Sequence, residues 1–201
     1  YNSNHMRCKD GDMILIDAGS EFRGYAADIT RSWPINAKFT EAQKQIYQLV
    51  LNAQLAAIKE CIVGNEYLAP HSKAREILAA GLIELGIIKQ DLETALDAEI
   101  GELNLYYMHG TGHWIGLDVH DVGLYKSDKG PRVFEHGMVI TVEPGLYFGD
   151  WRPDLSVEKK WAGIGIRIED DVLITSDGPD VLSKDCPKDI FTLEDLIGVS
   201  N

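Results

Sequence analysis

The sequence predicts an α+β domain in which one strand design occurs twice, with helices following the first copy. Two segments carry that expectation. Met13-Ile-Leu-Ile-Asp-Ala-Gly19 and Met138-Val-Ile-Thr-Val-Glu-Pro-Gly145 are both apolar runs with a carboxylate two residues before a glycine. Between them lie about fifty residues with helical periodicity and then a histidine-rich stretch, so the chain reads as an internally duplicated α+β unit.

Composition narrows the function classes. The chain has 201 residues, 45% hydrophobic and 25% charged, enough for one domain with a full core. A net charge of −13 with no basic run argues against nucleic acid and anionic membrane as partners. No apolar run approaches membrane-spanning length. Cys8, Cys61 and Cys186 are odd in number and scattered, which favours a reducing compartment, and the cytoplasm is expected. The chain opens on Tyr1 close to a strand and reads as a fragment.

The elements follow in order. After the first strand, Glu21 to Gly24 supply a turn and Tyr25 to Trp33 a second strand. A turn centred between Phe22 and Arg23 places Asp17 opposite Asp28, with Cβ atoms roughly 4.5–5.5 Å apart. Two carboxylates so close in an apolar setting repel each other, and a shared divalent cation resolves the repulsion. Pro34 ends the strand. Thr40-Glu-Ala-Gln43 is a capping box that opens a helix running to about Cys61, with Ile46, Val50, Ala53, Ala57 and Cys61 on one stripe. A second helix follows Pro70 and stops at Gly86, and His71 near its start reads as a capping or surface residue. Asp91 to Glu102 reads as a solvated connector, and Gly130-Pro131 as a loop. Gly163 to Ile174 is a further strand with Glu169, Asp170 and Asp171 in its middle. Asp170 and Asp171 read as hairpin acids or as support for Glu169, because adjacent residues alternate faces. A short amphipathic segment near Ile190 to Ile197 closes the chain.

The stretch from Tyr107 to Asp121 holds His109, His113 and His120 among Gly110, Gly112 and Gly116. A helical zinc-protease motif is excluded, since Gly110 stands where its glutamate belongs and two glycines oppose a helix. Half of the chain's six histidines lie within twelve residues, and this clustering points to a site rather than to structural histidines. Asp17, Asp28, His113, Glu143 and Glu169 then offer four carboxylates and one imidazole. That set suits manganese, cobalt or iron better than a thiolate zinc site, and its negative charge suits two ions. His109 and His120 are left to bind substrate and move protons, and Arg167 to hold a carboxylate or orient a ligand. The chemistry is that of a dinuclear metallohydrolase, with peptidase and phosphoesterase both open.

Four motifs in order resemble the aminopeptidase P (Xaa-Pro aminopeptidase) group of the pita-bread metallopeptidases, which also include prolidase and methionine aminopeptidase. They are Ile16-Asp-Ala-Gly19 with Gly24-Tyr-Ala-Ala-Asp-Ile-Thr-Arg31, His109-Gly-Thr-Gly-His-Trp-Ile-Gly-Leu-Asp-Val-His-Asp121, Thr141-Val-Glu-Pro-Gly-Leu-Tyr147, and Gly163-Ile-Gly-Ile-Arg-Ile-Glu-Asp-Asp171. The resemblance implies a curved antiparallel sheet with outer helices and pseudo-twofold halves. It implies two divalent ions, usually Mn²⁺ with Co²⁺, Fe²⁺ or Zn²⁺ as substitutes, on Asp17 and Asp28 for the first and His113 and Glu143 for the second, with Asp28 and Glu169 bridging. His109, His120 and Arg167 would line the substrate site. The implied reaction is release of the residue preceding proline from peptides with proline in second position, by a hydroxide activated between two metals. Prolidase, acting on Xaa-Pro dipeptides, shares most motifs, and a non-catalytic pita-bread peptide-binding module is the alternative of another class. Residues 1–201 would form the C-terminal catalytic domain without its upstream start, part of its first half and a separate N-terminal domain. A substrate-site histidine expected just before Tyr1 is lacking, and His5 does not replace it. The full-length protein would be able to form a homo-oligomer.

Overall fold

A computed structural model describes residues 6–128, 130–149 and 157–198. Tyr1 to His5, including the histidine considered above, lie outside the described residues. In chain order the elements are β1 (Met13–Ala18), β2 (Glu21–Phe22), β3 (Tyr25–Ala26), β4 (Ile29–Pro34), α1 (Glu41–Lys59), α2 (Ala69–Glu84), α3 (Leu92–Ala95) and α4 (Leu103–Tyr106). They continue with β5 (Lys126–Ser127), β6 (Gly130–Pro131), β7 (Val139–Val142), β8 (Gly145–Tyr147), β9 (Gly165–Arg167), β10 (Asp170–Thr175), β11 (Gly178–Val181) and α5 (Ile190–Gly198).

The helices form as the sequence dictates. Thr40 accepts from the Gln43 amide at 3.3 Å and Gln43 reaches back to the Thr40 amide at 2.8 Å, which closes the capping box of α1. The stripe Ile46, Val50, Ala53, Ala57 and Cys61 is fully buried, in one core with Val142, Ile166 and Val172 of the strands. Pro70 opens α2, and Gly86 ends it at a φ of +69°. Among the described residues no helix is long and apolar enough to cross a membrane.

The first hairpin departs from its expected register. Arg23 and Gly24 both have positive φ, 55° and 86°, so they are the two central residues of a type I′ turn. The turn therefore lies one residue later than expected, and Asp17 pairs with Thr30 rather than Asp28. A shift of two in the partner keeps the sheet face, so Asp28 remains diagonal to Asp17 and on its side. Gly130-Pro131, expected as a loop, is one arm of a two-residue hairpin with Lys126-Ser127.

The expected strand 163–174 is split into β9 and β10. β10 pairs with β7 (Asp170 opposite Val142), and β9 pairs with β8 (Gly145 opposite Arg167). Both pairings share one register, so they form a single ladder interrupted at Pro144, which has no amide hydrogen to donate. In that register Glu143 falls opposite Glu169. The Glu169 amide donates to the Thr30 carbonyl at 3.1 Å, which ties this ladder to β4.

Candidate metal centre

The histidine stretch reaches the carboxylates by lying along the free edge of β7. The Thr141 amide donates to the His113 carbonyl at 3.0 Å and the Glu143 amide to the Thr111 carbonyl at 2.7 Å. Gly112 is required here, because a Cβ on it would sit 2.0 Å from the Thr141 carbonyl oxygen. The antiparallel alignment puts His113 across from Thr141 and one step from Glu143, on the face that Glu169 shares. Alternation along the strands then gathers Asp17, Thr30, Glu169 and Glu143 in one transverse row, with Asp28 and His113 in the next.

All eight residues singled out from the sequence line one cleft of about 1040 Å³: Asp17, Asp28, His109, His113, His120, Glu143, Arg167 and Glu169. Asp28, His113 and Glu169 each offer a ligand atom within 4.8 Å of the others. His113 Nε2 lies 3.4 Å from Asp28 Oδ2 and 3.6 Å from Glu143 Oε1. Its Nδ1 lies 3.0 Å from the Trp114 carbonyl, which only accepts, so Nδ1 carries the hydrogen and the Nε2 lone pair of the neutral ring points at the carboxylates.

The electrostatics follow from this crowding. Burial, reinforced by Glu143, pushes Glu169 up to about 8, and burial pushes Glu143 up to about 7 against the pull of His113 and Arg167. Burial and the neighbouring Asp28 raise Asp17. Burial also acts on Asp28, but the His113 imidazole outweighs it and holds Asp28 below its ordinary value. His113 is pushed up to about 9, since Asp28 and Glu143 overcome the burial that disfavours its charge. The metal-free pocket thus fills its charge deficit with protons. The oxygens of Asp28 and Glu169 and the His113 lone pair, all within 4.8 Å of one another, fit a divalent ion that would replace those protons, with Glu143 and the Arg167-paired Asp17 beside them.

The remaining side chains are held around this centre. Arg167 donates from Nη2 to Asp17, from Nε to Thr30 Oγ1 at 3.2 Å and from Nη1 to the Tyr147 hydroxyl at 3.1 Å. The buried Thr30 hydroxyl donates to the Glu169 carboxylate. His109 lies between the Gly110 carbonyl and the Tyr147 hydroxyl, each at 2.7 Å, and burial lowers its pKa. His120 is exposed, with its ring edge-on to His113 at 4.3 Å between centroids. Asp170 and Asp171 are both buried, Asp170 on the opposite face of the strand from Glu169; the Asp171 carboxylate accepts from the Asp28 amide at 3.1 Å, and burial raises it to about 6.

Three residues of the site went unread in the sequence. Tyr147 and Thr30 were legible by parity, two strand positions from Gly145 and from Asp28 respectively. His71 was not: the expected capping or surface residue is half-buried, with Nδ1 2.8 Å from the Thr111 hydroxyl, and burial lowers it to about 4. Only the docking of α2 against the histidine stretch creates that contact.

Comparison with known proteins gives the chain its family. Metallopeptidase family M24 matches residues 1–176. The chain is 46% identical to an Xaa-Pro aminopeptidase of Haemophilus influenzae, over 98% of this chain and 44% of the relative. It is 43% identical to an Xaa-Pro aminopeptidase of Escherichia coli, over 98% of this chain and 43% of the relative. The structure of Pseudomonas aeruginosa aminopeptidase PepP superposes with a TM-score of 0.92 at 44% identity, over 98% of this chain and 44% of that one. Proline aminopeptidase P II from Yersinia pestis gives 0.90 at 44% identity, over 100% of this chain and 45% of that one. The chain spans less than half the length of these relatives. Such similarity assigns the pita-bread architecture and, with the matched 176 residues, the lineage: the chain belongs to metallopeptidase family M24.

Proposed function

We propose that this chain carries the catalytic face of a manganese-dependent aminopeptidase that releases the residue preceding proline. The observation that carries the reading is the row of Asp17, Glu169 and Glu143 beside Asp28 and His113, in a chain more than 40% identical to Xaa-Pro aminopeptidases. Asp17 and Asp28 would hold one ion, His113 and Glu143 a second, with Asp28 and Glu169 shared. Divalent ions there supply Lewis acidity toward a peptide carbonyl and lower the pKa of water.

The protein's own groups bind, orient and move protons. His109 is neutral near pH 7, with its Nδ1 hydrogen toward Gly110 and Nε2 accepting from Tyr147, so these bonds fix the Tyr147–His109 pair as one wall of the cleft. Arg167, anchored by Asp17 and Tyr147, places a permanent positive charge at the cleft floor, suited to a carbonyl or carboxylate oxygen. His120 lines the cleft beside His113, and in this reading it would give a proton to the leaving imino nitrogen of proline. Scattered free cysteines favour a reducing compartment, and we assign the protein to the cytoplasm.

Hydrolysis of an Xaa-Pro-Yaa tripeptide beside an Xaa-Pro dipeptide, with and without Mn²⁺, tests the reading. Mn²⁺-dependent cleavage of the tripeptide is expected. Cleavage of the dipeptide alone would make the protein a prolidase, and Mn²⁺ binding without cleavage of either, both by this chain and by one extended upstream to the length of its relatives, would make it a peptide-binding module.

A further inference from the structure

A second charged cluster lies directly behind the metal-binding face and is not used by the proposed chemistry. Asp170, next in sequence to Glu169, has no solvent exposure. Its Oδ1 accepts from Arg31 Nη2 at 2.8 Å and from the Ser183 hydroxyl at 2.7 Å; its Oδ2 accepts from Gln54 at 2.7 Å and from Lys188. Burial alone would raise Asp170, but the Arg31 and Lys188 charges outweigh it and hold the group below the ordinary carboxylate range. The pair of cations therefore keeps a buried anion in place, as such an anion requires.

The cluster has two ends. One grips the ligand-bearing strands: Arg31 Nη1 donates to the Glu169 carbonyl at 2.5 Å and to the Thr30 carbonyl at 2.9 Å, and Thr30 in turn holds the Glu169 carboxylate. The other grips the segment 182–188, which follows β11. Arg31 donates to the Cys186 carbonyl at 2.8 Å and the Pro187 carbonyl at 2.9 Å, while the Ser183 hydroxyl also accepts from the Asp171 amide at 3.2 Å. Asp171 then accepts the Asp28 amide. Both Asp28 and Glu169 are thus connected to the segment 182–188 by one or two hydrogen bonds.

We infer that the segment 182–188 is a strap that positions Asp28 and Glu169, with Lys188 and Ser183 as its positioning residues, and that it sets the affinity of the site for divalent ions. The inference rests on the metal-binding reading above. Partners of metal ligands commonly change affinity by about 10–100-fold when removed, because they fix the ligand's orientation rather than supply it. Lys188 is suited to the test, since its side chain is partly exposed and Met matches its length, leaving Asp170 paired with Arg31.

The measurement is calorimetric titration of the 201-residue chain with Mn²⁺ at pH 7.5, for the unaltered chain, Lys188→Met and Lys188→Arg. We expect Lys188→Met to weaken the Mn²⁺ Kd about 10-fold or more, and Lys188→Arg to restore it to within about threefold. A Lys188→Met chain that melts earlier in EDTA but binds Mn²⁺ with an unchanged Kd would show a merely structural contact and overturn the strap. If circular dichroism shows Lys188→Met unfolded, Ser183→Ala, which removes one hydroxyl, carries the same comparison and the same two outcomes. Failure of the unaltered chain to bind Mn²⁺ at all overturns the metal reading and this inference with it. Binding by the unaltered chain with no change in either variant overturns the inference alone.

Discussion

At the scale of single residues, the site depends on side chains that hold carboxylates as much as on the carboxylates. Thr30 is the smallest of them. Its hydroxyl donates to Glu169 and accepts from Arg167, and it is buried without exposure. Thr30→Val keeps the shape and removes both bonds, leaving a buried carboxyl group and a guanidinium each short of a partner. The expected loss is about 1–3 kcal/mol in urea unfolding with EDTA present. A loss under about 0.3 kcal/mol would mean that water replaces the hydroxyl. The reach of sequence reading at this scale is set by parity. Asp17, Asp28, Glu143 and Glu169 announce themselves as acids in apolar strands, and Arg167 follows two residues before Glu169. Tyr147 and Thr30 obey the same rule but are unremarkable residue types in strands, so composition does not flag them.

At the scale of elements, the edge of β7 decides whether the histidines meet the acids. Gly112 permits the contact by the lack of a Cβ. Gly112→Ala should lift the stretch off β7, separate His113 from Glu143 and reduce Mn²⁺ affinity at least 10-fold in calorimetry. Overpacking against backbone costs about 1–3 kcal/mol, so the chain should still fold, with a lowered unfolding midpoint. Unchanged Mn²⁺ binding would show that the stretch has another way to seat. The helices were legible because their signals are local: the Thr40–Gln43 box, Pro70 and Gly86 each act within one turn of chain. The first hairpin was misread by one residue because Arg23 is an uncommon occupant of a positive-φ position, so Gly24 was taken to close the turn rather than form its centre.

At the scale of the whole molecule, charge crowding makes stability depend on pH and on metal. Glu143 and Glu169 have folded pKa values of about 7 and about 8, above those of an unfolded glutamate. A carboxyl raised in this way destabilises the fold increasingly as pH climbs from its unfolded toward its folded pKa. His113, raised to about 9, stabilises the fold below its unfolded pKa and loses that contribution as pH rises through about 9. All three act in one direction between pH 6.5 and 8.5, whereas the lowered His71 and His109 lose stability only as pH falls below about 6.5. In EDTA the melting temperature should therefore fall from pH 6.5 to pH 8.5. Mn²⁺ should raise it more at pH 8.5, where it replaces protons that have already left. An equal Mn²⁺ effect at both pH values would contradict this account. By itself the sequence determined the two long helices and the strand regions that carry Asp17, Asp28, Glu143 and Glu169, the five candidate ligands, and the family through four motifs in order, because local pattern and residue chemistry suffice for these. Only the tertiary structure decided the register that sets Glu143 against Glu169, the seating of His113 on β7, and the contacts of His71 and Lys188. These join residues from 18 to 134 apart in the chain, and no local rule of spacing reaches across such separations.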